Sequence, residues 1–176
     1  MITINDLNFY YKKKKPLFSD LQLNLEPGNI CGLLGKNGAG KTTLLKLMSG
    51  LLYAQSGSLS VNGYDPAKRD PSFLADLYFV PEEFYVPALK VSTFEKIYAP
   101  FYPKFSAEQF NSYLSAFELG KDNRINKLSY GQKKKVLLSF GLATNSSLMI
   151  LDEPTNGLDI PSKSVFRKLL AGSVTD

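Results

Sequence analysis

Residues 32–43, with the sequence GLLGKNGAGKTT, place several glycines and a lysine between an apolar segment and a leucine-rich one. The spacing Gly-x-x-x-x-Gly-Lys-Thr, from Gly35 to Thr42, is that of a phosphate-binding loop. Glycines let consecutive backbone N–H groups point inward at a β-phosphate, and the helix that follows contributes the positive end of its dipole. A glycine-rich turn that only begins a helix is the alternative interpretation. The stretch therefore predicts a strand, a phosphate-binding turn and a helix in this order.

The residues of this loop have different predicted roles. Lys41 is expected to neutralise charge on the β- and γ-phosphates of a nucleotide, and the hydroxyl of Thr42 to be a ligand of Mg²⁺. The other predicted nucleotide-binding residues in this loop are Gly35, Lys36, Asn37, Gly38, Ala39, Gly40 and Thr43. The loop thus predicts a nucleotide and Mg²⁺ as bound groups.

The composition is that of an ordinary globular chain. Its 176 residues are 44% hydrophobic and 21% charged, which suits one domain with a substantial core. The formal net charge is +5, and residues 12–15 form a run of lysines. We interpret this run as the solvated tip of a hairpin, and the alternative is a patch for anionic partners.

Cysteine content and hydropathy limit where the chain works. Cys31 is the single cysteine, so no disulfide framework exists and a reducing compartment is expected. Because Cys31 stands in an apolar, strand-like segment, we expect it to be buried. The start of the chain does not have the pattern of a signal peptide, and no apolar run approaches the ~20 residues of a membrane span. Any work at a membrane is therefore expected from its cytoplasmic face, through a partner.

Hydrophobic periodicity predicts a mixed α/β chain. Alternating apolar residues predict an antiparallel pair of strands at 2–11 and 18–28, and the continuous apolar run 29–35 predicts a strand buried on both faces. Further strands are expected at 56–63, ending in an Asn62-Gly63 turn, at 74–83, and at 146–154 as a buried strand. Helices are expected at 41–52, 129–144 and 160–172.

Between residues 84 and 128 the sequence becomes rich in aromatic residues at irregular helical spacing. Such a stripe is mostly core, and its remainder is available as a docking surface. We therefore predict that residues 84–145 form a small helical subdomain inserted into the α/β sheet.

Two carboxylates follow the apolar segment at residues 148–151. A buried parallel strand can end at a ligand crevice, where the residues after its carboxyl end meet the phosphates. Asp152 is expected to hold Mg²⁺, and Glu153 to polarise the attacking water. Such a segment alone is a weak signal, and its value comes from lying downstream of a phosphate-binding loop.

A second motif precedes this strand: residues 128–136 read LSYGQKKKV and open a helix. Here the chain resembles the ATP-binding cassette of ABC transporters, whose signature reads Leu-Ser-Gly-Gly-Gln. Tyr130 replaces the first glycine of the pair. The resemblance implies that Ser129 and Gly131 reach the γ-phosphate of ATP bound by another protomer, and that Gln132 also belongs to the nucleotide-binding residues. A serine that only caps the helix is the alternative, and both roles are compatible.

The resemblance covers residues 1–176 as a single ABC ATPase domain and implies a RecA-like α/β P-loop NTPase core with an N-terminal antiparallel β element. It implies an ATPase that binds ATP and Mg²⁺ and forms a head-to-tail homodimer or a heterodimer with another cassette. It also implies a separate membrane-spanning transporter subunit, a cytoplasmic, peripheral location at the inner face of the cell membrane, and no direct binding of nucleic acid. The alternative is a soluble ABC ATPase that acts on ribosomes, nucleic acid or iron–sulfur assembly machinery, which the compact single cassette disfavours.

Three further positions are carried over from the family. Tyr11 stands where an aromatic residue stacks on adenine, with Tyr10 as a competitor, and Asp159 matches an acidic residue of the loop that crosses the dimer interface. Glu82 replaces a glutamine near Mg²⁺, and its carboxylate is an acceptable Mg²⁺ ligand. This replacement and residues 94–105 resemble the exporter subgroup.

The chain departs from the family at its C-terminal side. Family members carry a histidine about 30 residues after the catalytic glutamate at the end of another strand, and this sequence contains no histidine. A parallel sheet expects a strand to return after a crossover helix. We therefore expect the chain to be truncated before the switch histidine. A fragment that binds nucleotide without turnover is accordingly a third interpretation.

Overall fold

The computed structural model describes residues 1–12 and 15–173. Its contacts divide the chain into two compact units, Met1–Leu74 and a second one that begins at Ala75. Lys13 and Lys14 of the predicted hairpin tip, and residues 174–176, lie outside the described residues. Within the described ranges, no helix has both the length and the apolar character needed to cross a membrane.

The first unit contains a three-stranded antiparallel sheet. It is built from β1 (Ile2–Phe9), β2 (Phe18–Leu25) and β3 (Ser56–Val61), in the order β2-β1-β3. The predicted antiparallel pair is therefore confirmed. In β2 the leucines at 21, 23 and 25 alternate with exposed polar residues, as the period of a strand requires.

A bulge in β1 keeps its apolar residues on one face. Ile2, Ile4, Leu7 and Phe9 are all buried, although strict alternation would send the last two to the opposite face. The register shifts between Ile4 and Leu7, where Asp6 has a φ of 49°. One extra residue in the strand restores the facing of the side chains that follow it.

The turn after β3 matches its sequence prediction. Asn62 and Gly63 have φ values of 50° and 83°, as a type I′ turn requires. Val61 and Tyr64 exchange backbone hydrogen bonds of 2.8 and 2.9 Å across the turn. Helix α1 (Lys41–Met48) contacts β3 and buries Leu44, Leu47 and Met48.

The prediction of a buried strand at residues 29–35 is wrong. This segment has no strand conformation, and the exposed fractions of Ile30 and Leu34 are 57% and 93%. Cys31, expected to be buried, is exposed as well. A continuous apolar run indicates that a segment tends to be buried. A strand also needs a neighbouring strand to which its N–H and C=O groups can hydrogen-bond. Among the described pairings no strand supplies that neighbour.

The second unit contains a parallel pair of strands, β4 (Leu77–Val80) and β5 (Leu148–Leu151). Both are shorter than predicted. α2 (Pro71–Ala75) takes the first residues of the predicted strand at 74–83. The prediction of a buried strand at 146–154 is only partly correct, because Ile150 alone is fully buried in β5. The helices of this unit are α3 (Val91–Tyr98), α4 (Ala107–Ala116), α5 (Tyr130–Ala143) and α6 (Ile160–Ser173).

Aromatic rings form the core of this unit around Phe140, which is 1% exposed. The ring centroids nearest to it lie 4.9–5.9 Å away and belong to Tyr78, Phe94, Tyr102, Phe105 and Phe110. Offset and edge-to-face pairs at these distances are favourable beyond the area they bury. The prediction that the aromatic stripe is mostly core is therefore correct, while Tyr85 and Phe101 remain exposed.

Asp76 joins the beginnings of the two parallel strands. Its carboxylate accepts hydrogen bonds from the backbone N–H and the hydroxyl of Ser147, and it forms an ion pair of 3.1 Å with Lys104. Burial raises the pKa of Asp76, but the bonds from Ser147 and Lys104 outweigh it, and the net pKa lies below the ordinary 3.8. The ionised carboxylate is thus the form that the fold stabilises.

We predict that Asp76→Asn lowers the free energy of unfolding by about 1 kcal/mol or less at neutral pH, because a partly exposed charged hydrogen bond is weakened. A folded pKa below 3.8 means that this contribution is present above the unfolded pKa and is lost as the pH falls through the folded one. The difference between parent and variant should therefore shrink below about pH 4 in urea titrations followed by tyrosine fluorescence.

Asp122→Asn is the matched control, because Asp122 pairs with Lys90 but its side chain is 96% exposed. Its effect should be close to zero at every pH. A stability difference for Asp76→Asn that persists unchanged to pH 2 would contradict the assignment.

Candidate functional site

The glycine-rich loop lies in the first unit, directly before α1. Gly38 and Gly40 have φ values of 80° and 98°, a region that residues with a side chain rarely adopt. A Cβ atom at Gly40 would also lie 2.7 Å from the ring of Phe18. Glycine is therefore required at position 40 for two independent reasons, its conformation and its packing.

Lys41 is the first residue of α1, and its side chain folds back over the loop. Its Nζ donates hydrogen bonds of 2.8 Å to the carbonyl of Gly35 and 3.2 Å to that of Lys36. The ammonium therefore lies beside the loop backbone that carries the inward N–H groups of the predicted phosphate site. The helix that begins here directs the positive end of its dipole to the same place.

Tyr11 contacts the first turn of α1. Its hydroxyl lies 3.0 Å from Oγ1 of Thr43, and its ring meets Phe9 edge-on at 4.9 Å between centroids. The side chain is nevertheless 65% exposed, so an aromatic face stays accessible next to the loop. Tyr10, the competing residue, has its backbone N–H bonded to the side chain of Gln55 at 2.9 Å. Tyr11 thus lies beside the first turn of α1, and its stacking on adenine stays a prediction.

Three predicted carboxylates lie in the second unit, at one edge of the β4–β5 pair. The strands run parallel with Val80 opposite Leu151, and the carboxylates follow them as Glu82, Asp152 and Glu153. Asp152 is buried, at 4% exposure, and its N–H donates to the carbonyl of Val80 at 2.9 Å. Parallel strands place ligand-binding residues at their carboxyl ends, which is where this group lies.

Ser129 caps α5, as the interpretation of this serine as a helix cap predicted. Its hydroxyl accepts a hydrogen bond of 3.2 Å from the N–H of Gln132, and the Gln132 side chain accepts one of 3.0 Å from the N–H of Ser129. This reciprocal pair is a capping box. It fixes the N-terminus of α5, and the proposed contact of Ser129 with a second nucleotide stays a prediction.

The loop that follows Glu153 approaches α5 very closely. A Cβ atom at Gly131 would lie 2.3 Å from the carbonyl oxygen of Gly157, so only glycine fits at position 131. Beside this contact lies a pocket of about 440 Å³. It is lined by Phe117, Glu118, Ser129, Gly131, Gln132, Lys135, Gly157 and Asp159. The three predicted signature residues therefore share one concave surface.

Asp159 stands at the edge of this pocket and precedes α6. One of its oxygens accepts a 2.8 Å hydrogen bond from the N–H of Ser162, and Lys135 lies 3.5 Å from the other. The hydrogen bonds from Ser162, and then the charge of Lys135, lower the pKa of Asp159. The pocket therefore carries a cation and an anion side by side.

Two residues of this region were not predicted as functional. Tyr130 donates a hydrogen bond to the carbonyl of Glu82, and its ring stacks on Phe84 at 5.1 Å. Lys134 is fully buried and donates to the carbonyl of Glu153 at 2.7 Å. Lys134 stands four residues before Leu138, which is buried, and residues with this spacing lie on the same face of a helix. This spacing is the sequence signal that could have identified Lys134 as facing inward.

Comparisons with known proteins identify the family. A family model described as ABC transporter matches residues 18–156. The chain is 36% identical to the putative ABC transporter ATP-binding protein AlbC of Bacillus subtilis, over 94% of this chain and 73% of that protein. It is 31% identical to the ABC transporter ATP-binding protein YtrB of the same organism, over 91% of this chain but only 55% of that protein.

A solved structure titled as the ATP binding subunit of an ABC transporter superposes with a TM-score of 0.87 at 24% identity, covering 99% of this chain and 75% of that one. The predicted RecA-like P-loop fold class, with its antiparallel β element, is thereby confirmed. The family model covers most of the chain, and the relatives match the chain nearly from end to end. The chain therefore belongs to the ABC transporter family.

Proposed function

We propose that this chain is the ATP-binding and hydrolysing subunit of an ABC transporter, which couples ATP hydrolysis to a separate membrane subunit. The observation that carries the proposal is the loop ahead of α1, with left-handed glycines at 38 and 40 and Lys41 folded across it. Names of the relatives, which are ATP-binding proteins of ABC transporters, support the same function. No observation favours the alternative of a soluble ATPase that acts on ribosomes or nucleic acid.

In this proposal the first unit holds the nucleotide. Backbone N–H groups of the loop and the N-terminus of α1 bind the phosphates, and Lys41 exchanges its carbonyl partners for phosphate oxygens. The exposed ring of Tyr11 stacks on the adenine. These phosphate- and adenine-binding elements all belong to the first unit.

The residues proposed to hold Mg²⁺ have suitable chemistry. Thr42, Asp152 and Glu82 offer hydroxyl and carboxylate oxygens, the donors that this hard cation prefers. Within the described residues, no three His, Cys, Asp or Glu side chains cluster closely enough to form a cation site by themselves. Mg²⁺ bound by these oxygens and by the phosphates would neutralise phosphate charge.

Glu153 is the proposed general base. It directly follows the buried Asp152, and its residue is exposed, so a water molecule can reach the carboxylate. A carboxylate in this place orients the attacking water and accepts its proton, a role that contributes about 10²–10⁴-fold in rate. Hydrolysis therefore depends on Glu153, whereas ATP binding does not.

The remaining proposals concern partners. The pocket beside Ser129 and Gly131 would receive the γ-phosphate of ATP bound by a second cassette, in a head-to-tail dimer with the same or a related chain. The exposed aromatic residues Tyr85, Tyr98 and Phe101 would contact a membrane-spanning subunit at the inner face of the cell membrane. Phe84 and Tyr102 pack against the core and are less suited to such a contact.

We predict that Lys41→Ala weakens MgATP binding about ten- to a hundredfold, because a hydrogen bond to a charged group contributes about 1.5–3 kcal/mol. Isothermal titration calorimetry measures this directly. Lys46→Ala on the same helix is the matched control, since it removes the same charge one turn away from the loop. Equal affinity of the parent and the Lys41 variant would contradict the proposed phosphate site.

We predict that Glu153→Gln nearly stops turnover and leaves ATP affinity unchanged or higher. The substitution is close to isosteric and removes the proton acceptor together with one negative charge. Phosphate release and ATP binding should be measured on the same preparation. Hydrolysis at the parent rate would exclude Glu153 as the base and leave the nucleotide site untouched.

We predict that ATP holds two Glu153→Gln protomers together, and that adding Ser129→Arg separates them because the larger side chain fills the pocket. Size-exclusion chromatography with light scattering, with and without ATP, gives the mass. Ser129→Ala is the control, because it also removes the helix cap but adds no bulk. A dimer that tolerates Ser129→Arg would exclude this surface from the interface.

A further inference from the structure

We propose that Lys134 is a positioning residue for Glu153, because its buried side chain holds the backbone of Glu153 in the conformation from which the carboxylate acts. The inference rests on the proposed function, in which Glu153 prepares the attacking water. It assigns a role to a lysine of the signature helix that does not itself touch the nucleotide or the water.

The first argument is the burial of Lys134. Its exposed fraction is 0%, and it is among the largest fully buried side chains of the chain. A buried ammonium is costly unless it is paired and hydrogen-bonded, and an apolar residue would fill the same space without that cost. Packing alone therefore does not account for a lysine here, and its hydrogen bond must be considered.

The second argument is the partner of that hydrogen bond. Nζ of Lys134 donates to the carbonyl oxygen of Glu153 at 2.7 Å, across 19 positions of sequence. The same carbonyl accepts a bond of 3.1 Å from the N–H of Asn156. Both acceptor positions of the peptide that follows Glu153 are thus filled, one from α5 and one from the loop.

The third argument is the strained backbone at Glu153. Its φ is +45°, in the left-handed region that is unfavourable for a residue with a side chain. The next residue is Pro154, and a residue before proline is restricted further. Such conformations persist at functional sites only where surrounding contacts impose them. The hydrogen bond from Lys134 is a contact that does so.

The surroundings of the ammonium complete the arrangement. It lies 5.6 Å from the centre of the Tyr130 ring, one helical turn earlier, within the range of a cation–π interaction. Desolvation lowers the pKa of Lys134, while the charges of Glu82, Asp152 and Glu153 act to raise it. Because Tyr130 stands where the family signature has glycine, this chain covers the cation with a ring that the usual signature lacks.

The test is Lys134→Met, which removes the ammonium but keeps an unbranched side chain. We expect kcat for ATP hydrolysis to fall about 10- to 100-fold, as misplacement of a catalytic group by about 1 Å can do, with MgATP affinity within about threefold of the parent. Lys133→Met, on the same helix, is the matched control and should leave both values unchanged. An unaltered kcat for a folded Lys134→Met, judged by its circular dichroism spectrum and its urea midpoint of unfolding, would overturn the inference.

A double-mutant cycle separates positioning from a general structural role. In the Glu153→Gln background, adding Lys134→Met should not lower the residual single-turnover rate further, since both changes act through the same carboxylate. A multiplicative loss would show an independent role and overturn the inference. If Glu153→Gln itself turns over at the parent rate, the proposed base fails instead, so the two failures are distinguishable.

Tyr130→Leu provides a second variant if Lys134→Met does not fold. The tyrosine is 45% exposed, so the substitution leaves the core intact; it removes the ring over the ammonium together with the hydroxyl that bonds to the carbonyl of Glu82. Tyr130→Phe, which keeps the ring and removes only the hydroxyl, is the control and should keep the parent kcat. For Tyr130→Leu we expect a smaller fall in kcat, by about two- to fivefold, because the ring only helps to hold the ammonium that makes the hydrogen bond to Glu153. This loss should also vanish in the Glu153→Gln background, and its persistence there would overturn the inference.

Discussion

The parallel pairing of β4 and β5 is the constraint on which the second unit depends. Both strands end together, because the parallel register pairs Leu77 with Leu148 at their beginnings and Val80 with Leu151 at their ends. The N–H of Asp152 extends the ladder by one bond to Val80, so the carboxylate after the strand is fixed by the sheet itself. A shift by one residue would reverse the facing of Asp152 and Glu153 together.

Around this strand end, the N-terminus of α5 brings polar groups into contact with the backbone of the segments that follow β4 and β5. Tyr130 reaches the carbonyl of Glu82, and Lys134 reaches that of Glu153. Asn156 donates to the carboxylate of Glu82 at 3.0 Å. The segments after β4 and β5 and the signature helix are thereby joined by hydrogen bonds.

Local chemistry explains which features the sequence predicts. Gly38, Gly40 and Lys41 specify a turn and a helix start within a few residues, and Ser129 with Gln132 is a recognisable cap, so these elements were predicted correctly. The predicted strand at residues 29–35 was wrong, because an apolar run does not show which strand would pair with it. Lys134 was missed because a run of three lysines is typical of a solvated face, although the spacing of four residues places its middle member on the same helix face as the buried Leu138. The roles of the individual site residues stay predictions, since they depend on a bound nucleotide.

Tyr130 and Gly157 approach each other so closely that the residue at position 130 restricts which residues fit at position 157. A Cβ atom at residue 157 would lie 2.6 Å from the tyrosine ring, and Gly157 also has a φ of 78°. An ordinary signature glycine at position 130 would remove the steric part of this restriction. Relatives with tyrosine at position 130 are therefore expected to keep glycine at position 157. Relatives with the usual signature glycine at position 130 are expected to accept asparagine or aspartate at position 157 as well.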